Sequence, residues 1–178
     1  MLISKSPKGA TSEQLAVFSD KLGVELPKQL ELFLEKYNGG ETPATSFVCN
    51  GISSDIVAFY GLGDAKYPFK NNTVVCLKYL PIAKDSFGNH ILIDLITGAV
   101  SFQDHENDLI TILAKDLRTF FNLCKSEEIN PASQKSIEER EQDLIRRGRG
   151  HIITDDLRRM WQVEIDKYSN MAREEVRI

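Results

Sequence analysis

"YLPIAKDSFGNHILIDLITGAVSFQDHE", residues 79–106, decides the fold. "LPIA" is a short apolar run, "KDSFGN" is built from residues that close turns, and "HILIDL" is rich in side chains that suit strands. "TG" at 97–98 marks a tight turn, after which "AVSFQDH" returns as another strand. Strands joined this closely must be antiparallel neighbours, because a parallel pair needs a long crossover.

Outward from this hairpin the pattern stays β on one side and turns helical on the other. "SFVCN", "DIVAFYGL" and "TVVCL" upstream are strand-like runs of Val, Phe, Ile, Tyr and Thr. Downstream, Ile110, Leu113, Leu117, Phe120 and Phe121, followed by Leu123 and Cys124, recur at helical intervals and predict a third helix covering the sheet. Two helices precede the strands. Thr11 and Gln14 have capping-box spacing, and Leu15, Phe18 and Leu22 continue the first helix to Gly23. In "LPKQLELFLEKYNGG", residues 26–40, Pro27 suits the first helical position. Leu30, Phe33, Leu34 and Tyr37 share one face, and Asn38, Gly39 and Gly40 supply a left-handed stop. Helices, then antiparallel strands, then a helix predict an α+β fold with a largely antiparallel sheet packed with helices.

Hydrophobic residues at 42% and charged residues at 27% are ordinary for a globular chain, and 178 residues fit one domain plus an appendage. The net charge of −4 argues against general affinity for nucleic acid or an anionic membrane and suits a basic partner. Residues 1–10 lack a signal-peptide core and no run is long enough to span a membrane, so a cytoplasmic location is expected. Cys49, Cys76 and Cys124 are odd in number, far apart and in no CxxC pair, which predicts free thiols and no zinc or disulfide framework. No cofactor is called for.

The charge is unevenly distributed. Residues 1–132 hold twelve basic side chains, with Arg118 the lone arginine, against sixteen acidic ones; residues 133–178 hold ten basic, eight of them arginine, against ten acidic. With "NPASQ" at 130–134 between them, this predicts a domain over 1–130 and a C-terminal helical extension over 131–178. Within the extension Ser136 and Glu139 form a second capping box, Ile137, Leu144 and Ile145 share a side, and "GRG" at 148–150 breaks the helix. Thr154 then caps another helix with an apolar stripe of Leu157, Trp161, Ile165 and Tyr168, widened by Met160 and Met171. That stripe needs a partner: the body of the same molecule, another protein, or a second copy, which would make a homodimer through the C-terminal helix.

Three motifs invite chemistry. "DHE" at 104–106 offers acid/base groups or metal ligands, but neighbours on a strand point to opposite faces, so a hydrogen-bond anchor at a strand end is the better reading. "GLGD" at 61–64 lacks the later glycine of a dinucleotide loop and stands in no βαβ unit. "IRRGRGH" at 145–151 is basic, but Glu138, Glu139, Glu141, Asp143, Asp155 and Asp156 offset its field, so no direct nucleic-acid contact is predicted. No catalytic or metal-ligating residue is assigned.

In their order along the chain, "LGVELPKQLELFLEKYNGG", "FYGLGD", "YLPIAKDSFGNHILIDL", "GAVSFQDHE" and "LRTFFNLC" resemble the SMI1/KNR4 family, also called the SUKH superfamily, over roughly residues 10–125. The resemblance implies helices packed around an antiparallel sheet. It also implies a bacterial immunity protein that binds and silences a cognate polymorphic toxin, often a nuclease, without chemistry of its own; eukaryotic relatives look like regulators acting through protein contacts. The matching residues, Leu26, Pro27, Asn38, Gly39, Gly40, Pro81, Ile82, Gly88, Asp94, Asp104, His105 and Glu106, are structural in that pattern. A nuclease toxin with a basic cleft would associate quickly with an acidic domain. Glu41, Asp55, Asp64 and Asp108, on predicted loops, and Trp161 are the expected partner contacts. A general interaction module docking other proteins through the Trp161 stripe is the alternative.

Overall fold

The structure is a computed structural model and describes residues 1–5, 8–64, 66–69, 78–127, 135–169 and 173–178. The chain divides into two units, Met1–Glu127 together with Arg173–Ile178, and Glu128–Ala172. The sequence reading assigns all of 131–178 to the extension. The final six residues instead belong with the first unit, where Val176 enters the core, a contact across the whole chain that no local pattern announces.

In the first unit the elements are β1 (Leu2–Lys5), α1 (Ser12–Leu22), α2 (Lys28–Lys36), β2 (Gly40–Cys49), β3 (Ile52–Phe59), β4 (Tyr79–Lys84), β5 (His90–Asp94), β6 (Val100–Gln103), β7 (Ile110–Ala114), α3 (Leu117–Leu123), β8 (Lys125–Ser126) and β9 (Glu174–Glu175). Strands β2 to β7 form a sequential antiparallel meander, β1 and β9 extend it beyond β2, and β8 pairs with the far half of β2. The sheet curls. Cys49 Sγ donates to the Leu113 carbonyl at 3.1 Å and Asn50 Nδ2 to that of Ile112 at 2.7 Å, which brings the β2–β3 hairpin against the β7 edge. This is the expected α+β architecture.

Local chemistry explains most boundaries. Thr11 and Gln14 form the reciprocal capping box of α1, and Gly23 ends it at φ 69°. Pro27 is the residue before α2, one position earlier than predicted, and its carbonyl accepts from Leu30 and Glu31. After α2 the backbone turns left-handed at Asn38 (φ 48°) and Gly39 (φ 84°). The turn is clamped: buried Asn38 accepts from Leu62 N at 2.8 Å and donates to Leu62 O at 3.0 Å. A Cβ on Gly39 would lie 2.8 Å from Gly61 N, and one on Gly61 2.1 Å from the Asn38 carbonyl oxygen. The core gathers on this frame, with the Phe33 ring 5.5 Å from Tyr37, 5.2 Å from Phe59 and 5.4 Å from Phe121.

One helix is shorter than its apolar spacing predicts. Ile110–Ala114 is strand β7, paired with β6 from Gln103↔Ile110 to Val100↔Ala114, and α3 begins only after Asp116, whose carboxylate caps Thr119 N at 2.7 Å. Ile110 and Leu113 match a helical face by coincidence of spacing. The unpaired β6 edge and the β-branched "ITI" settle the matter. The predicted strand "TVVCL" with Cys76, and "NPASQ", lie outside the described residues.

The second unit holds α4 (Ile137–Arg146), a 3-10 turn (Gly150–Ile152) and α5 (Asp155–Ser169). Ser136 and Glu139 cap α4 as predicted, and Thr154 Oγ1 accepts from Leu157 N at 3.2 Å. The Arg140 guanidinium pairs with Glu164 at 3.0 and 3.4 Å and lies 5.9 Å from the Trp161 ring centre. Part of the stripe on α5 therefore faces α4 of its own unit; the Tyr168 and Met171 side chains lie outside the described residues.

Candidate partner interface

At one end of the curled sheet the β4–β5 turn, residues 85–89, lies beside the β6–β7 loop, residues 104–109, because β5 and β6 pair from His90↔Gln103. Both are built by carboxylates and amides. Asp85 is buried and accepts four hydrogen bonds: Phe87 N at 2.9 Å and Asn89 N at 2.7 Å on Oδ1, Ser54 Oγ and Asn89 Nδ2 at 2.7 Å on Oδ2. Burial pushes the Asp85 carboxyl upward, but these donors outweigh it and hold it below the ordinary value. Asn89 Oδ1 in turn accepts from His105 N at 3.0 Å and from Nδ1 at 2.8 Å. Asp104 accepts from Glu106 N at 2.8 Å and Asn107 Nδ2 at 3.0 Å.

His105 is thus held by an amide, while the Asp104 oxygens are directed into the turn. "DHE" is a loop anchor at the strand end, as read from the sequence, and no group of three or more His, Cys, Asp and Glu among the described residues could hold a metal ion. Cys124 is packed in the core and burial pushes its thiol up to about 12, which removes it from thiolate chemistry.

The expected contact residues fall in three places. Asp55 lies on β3, where its carboxylate accepts from Ser86 N at 2.9 Å and Ser86 Oγ at 3.1 Å, so it borders the 85–89 turn. Asp108, left-handed at φ 58°, accepts from Gln103 Nε2 at 3.2 Å in the neighbouring loop. Glu41 and Asp64 meet around a different turn: Glu41, on β2, accepts from Lys66 and from Tyr67 Oη at 3.0 Å, and Asp64 accepts from Lys66 N and Tyr67 N, both at 2.7 Å. Glu41 and Asp55 therefore sit on strands and not on the predicted loops, because β2 and β3 run longer than their apolar cores. Trp161 belongs to the second unit, where it lines a hollow of about 460 Å³ with Lys135, Arg140, Leu144 and Glu164.

A sequence signal went unused. Residues 37–65 and 85–114 contain no lysine or arginine at all. These stretches supply β2, β3, β5, β6 and β7, and hold Glu41, Asp55, Asp64, Asp85, Asp94, Asp104, Glu106 and Asp108. Of these, Asp55, Asp85, Asp104, Glu106 and Asp108 border the 85–89 and 104–109 loops, which also carry exposed Phe87 and Leu109 at 69% and 62% of full accessibility.

Fold and site together define an antiparallel α+β domain whose 85–89 and 104–109 loops carry acidic side chains. The chain belongs to the SMI1 / KNR4 family (SUKH-1), whose model matches residues 9–123, more than half of the chain. Domains of this family are commonly immunity proteins, typically non-catalytic, and act by binding protein partners. No curated protein matches the chain. Among the described residues no helix is long and apolar enough to cross a membrane.

Proposed function

We propose that this chain is a cytoplasmic immunity protein of bacterial type that neutralises a cognate polymorphic toxin by stoichiometric binding, and that the toxin carries a basic, nuclease-type domain. Membership of a family in which immunity proteins are common is the observation that carries this reading. The stretches free of lysine and arginine support the sign of the partner. In this reading Asp55 and Asp108, with Glu106, steer the toxin's cationic cleft onto the loop end, and Phe87 and Leu109 supply desolvated contact. Glu41 and Asp64 add to the field from the neighbouring turn, already partnered within the chain. The test is co-expression with the toxin domain encoded beside its gene: the wild-type chain restores growth, and the triple variant Asp55→Lys, Glu106→Lys, Asp108→Lys does not.

A second reading, a general interaction module, draws on the exposed Ile145, Met160 and Val163 of the helical unit, side chains open to a second copy of the chain as well. Loss of a partner or of self-association on Met160→Ser with Val163→Ser, while growth rescue persists, would favour it.

A further inference from the structure

The last described segment, Arg173–Ile178, is bound to the first unit as a peptide is bound. It adds an outer strand to β1, with Leu2 opposite Glu175 and Ile3 opposite Glu174, and Val176 N donates to the Met1 carbonyl at 2.9 Å. The Tyr37 hydroxyl clamps the next turn of backbone, donating to the Glu175 carbonyl at 3.2 Å and accepting from Arg177 N at 2.9 Å. Arg118 Nε donates to the Ile178 carbonyl at 2.8 Å, and Lys36 Nζ reaches that of Arg177 at 3.4 Å. All of these contacts are to main-chain atoms of the segment. Val176, buried to 9% exposure, is its apolar side chain in the core, with Ile178 packed partly against it, and the Arg173 guanidinium is partly buried as well. The Arg177 side chain pairs within the segment, with Glu175 at 2.6 and 3.0 Å.

Recognition through the main chain, with an aliphatic side chain seated in the core, is the mode of strand addition. The ladder is only two residue pairs long and lies at a sheet edge, the kind of element that opens before the rest of a fold. In sequence, β9 follows the second unit and β8 precedes it.

We propose that the outer edge of β1, with Tyr37 and Arg118, is a peptide-docking groove that the chain fills with its own Arg173–Ile178, and that this segment is a releasable latch. When the latch leaves, the groove takes an extended segment with an aliphatic residue at the Val176 position. This inference is independent of any toxin.

The test uses the full chain with Val176→Asp, which places a charge where the groove is apolar, and a dye-labelled peptide of sequence Arg173–Ile178 followed by anisotropy. The opened variant binds the peptide at least tenfold more tightly than the wild type, whose groove is filled in cis, and a peptide carrying the same Val→Asp change does not bind. In hydrogen exchange, the Ile3 amide, opposite Glu174, loses protection in the variant while those of β5 and β6 keep it. Tyr37→Phe, milder because the ring remains, speeds exchange of Val176 and Arg177 several-fold with the circular dichroism unchanged. Global unfolding of Val176→Asp would make the segment an integral part of the core and overturn the proposal. So would a folded variant that ignores the peptide, or unchanged exchange at Ile3.

Discussion

Replacing Asp85 with alanine tests whether the acidic loop end is a built surface. The change strands four donors at once: the Phe87 and Asn89 amides, the Ser54 hydroxyl and the Asn89 side chain. A hydrogen bond to a charged group contributes about 1.5–3 kcal/mol net, but the losses are not additive and water reaches part of this turn, so we expect about 3 kcal/mol in all. Asp85→Asn keeps one acceptor oxygen for the two backbone amides and sets one NH2 group against that of Asn89, for about 1–2 kcal/mol. The effect also travels. Asn89, turning to satisfy the new partner, withdraws the oxygen that holds His105 N and Nδ1. Urea denaturation gives the stability change, and amide exchange at His105 reports the coupling. A cost below about 1 kcal/mol for Asp85→Ala, or a protected His105 amide in Asp85→Asn, would refute the argument.

Other outcomes follow from the same geometry. Asp85, Asp94 and Asp116 all have carboxyls held below the ordinary value: Asp85 and Asp94 against an upward push from burial, Asp94 by Lys78 and the Thr97 and Ile96 amides, and Asp116 by Thr119. A depressed native pKa stabilises above the unfolded value of about 3.9 and is lost as pH falls through the lower native one, so denaturation midpoints stay level from neutral pH to about 5 and then drop, less steeply in Asp85→Asn. Gly61→Ala drives a Cβ to 2.1 Å from the Asn38 carbonyl oxygen. It should cost about 2–3 kcal/mol and lower Tm by roughly 5–10 °C in a thermal scan. Trp161→Ala removes the ring beneath Arg140, and loosens the α4–α5 pair as faster exchange in α4 while β3–β6 are unaffected.

What the sequence revealed was local. Capping boxes at Thr11 and Ser136, the left-handed stop at Asn38–Gly39 and the turn at 95–98 are decided by neighbours within a few residues, and they stand where the pattern puts them. What it concealed was decided across the chain. β1, β8 and β9 are strands of two to four residues that exist because β2 and β1 offer edges, and Ile110–Ala114 became a strand because β6 needed a neighbour. For the site, the acidic character was legible, but its grouping was not. Asp55 and Asp108 come to one end only through the β3–β4 and β5–β6 registers, while Glu41 and Asp64 meet at a separate turn. Averaged charge hid the two stretches free of lysine and arginine that trace this surface.

The most direct test is titration calorimetry of the purified chain against the purified toxin domain encoded beside its gene, at low and raised salt. The account predicts a one-to-one complex whose association weakens with salt. It also predicts that affinity falls by at least a hundredfold when Asp55, Glu106 and Asp108 are changed to lysine, with the circular dichroism unchanged. No complex, or a complex indifferent to those three substitutions, would contradict it.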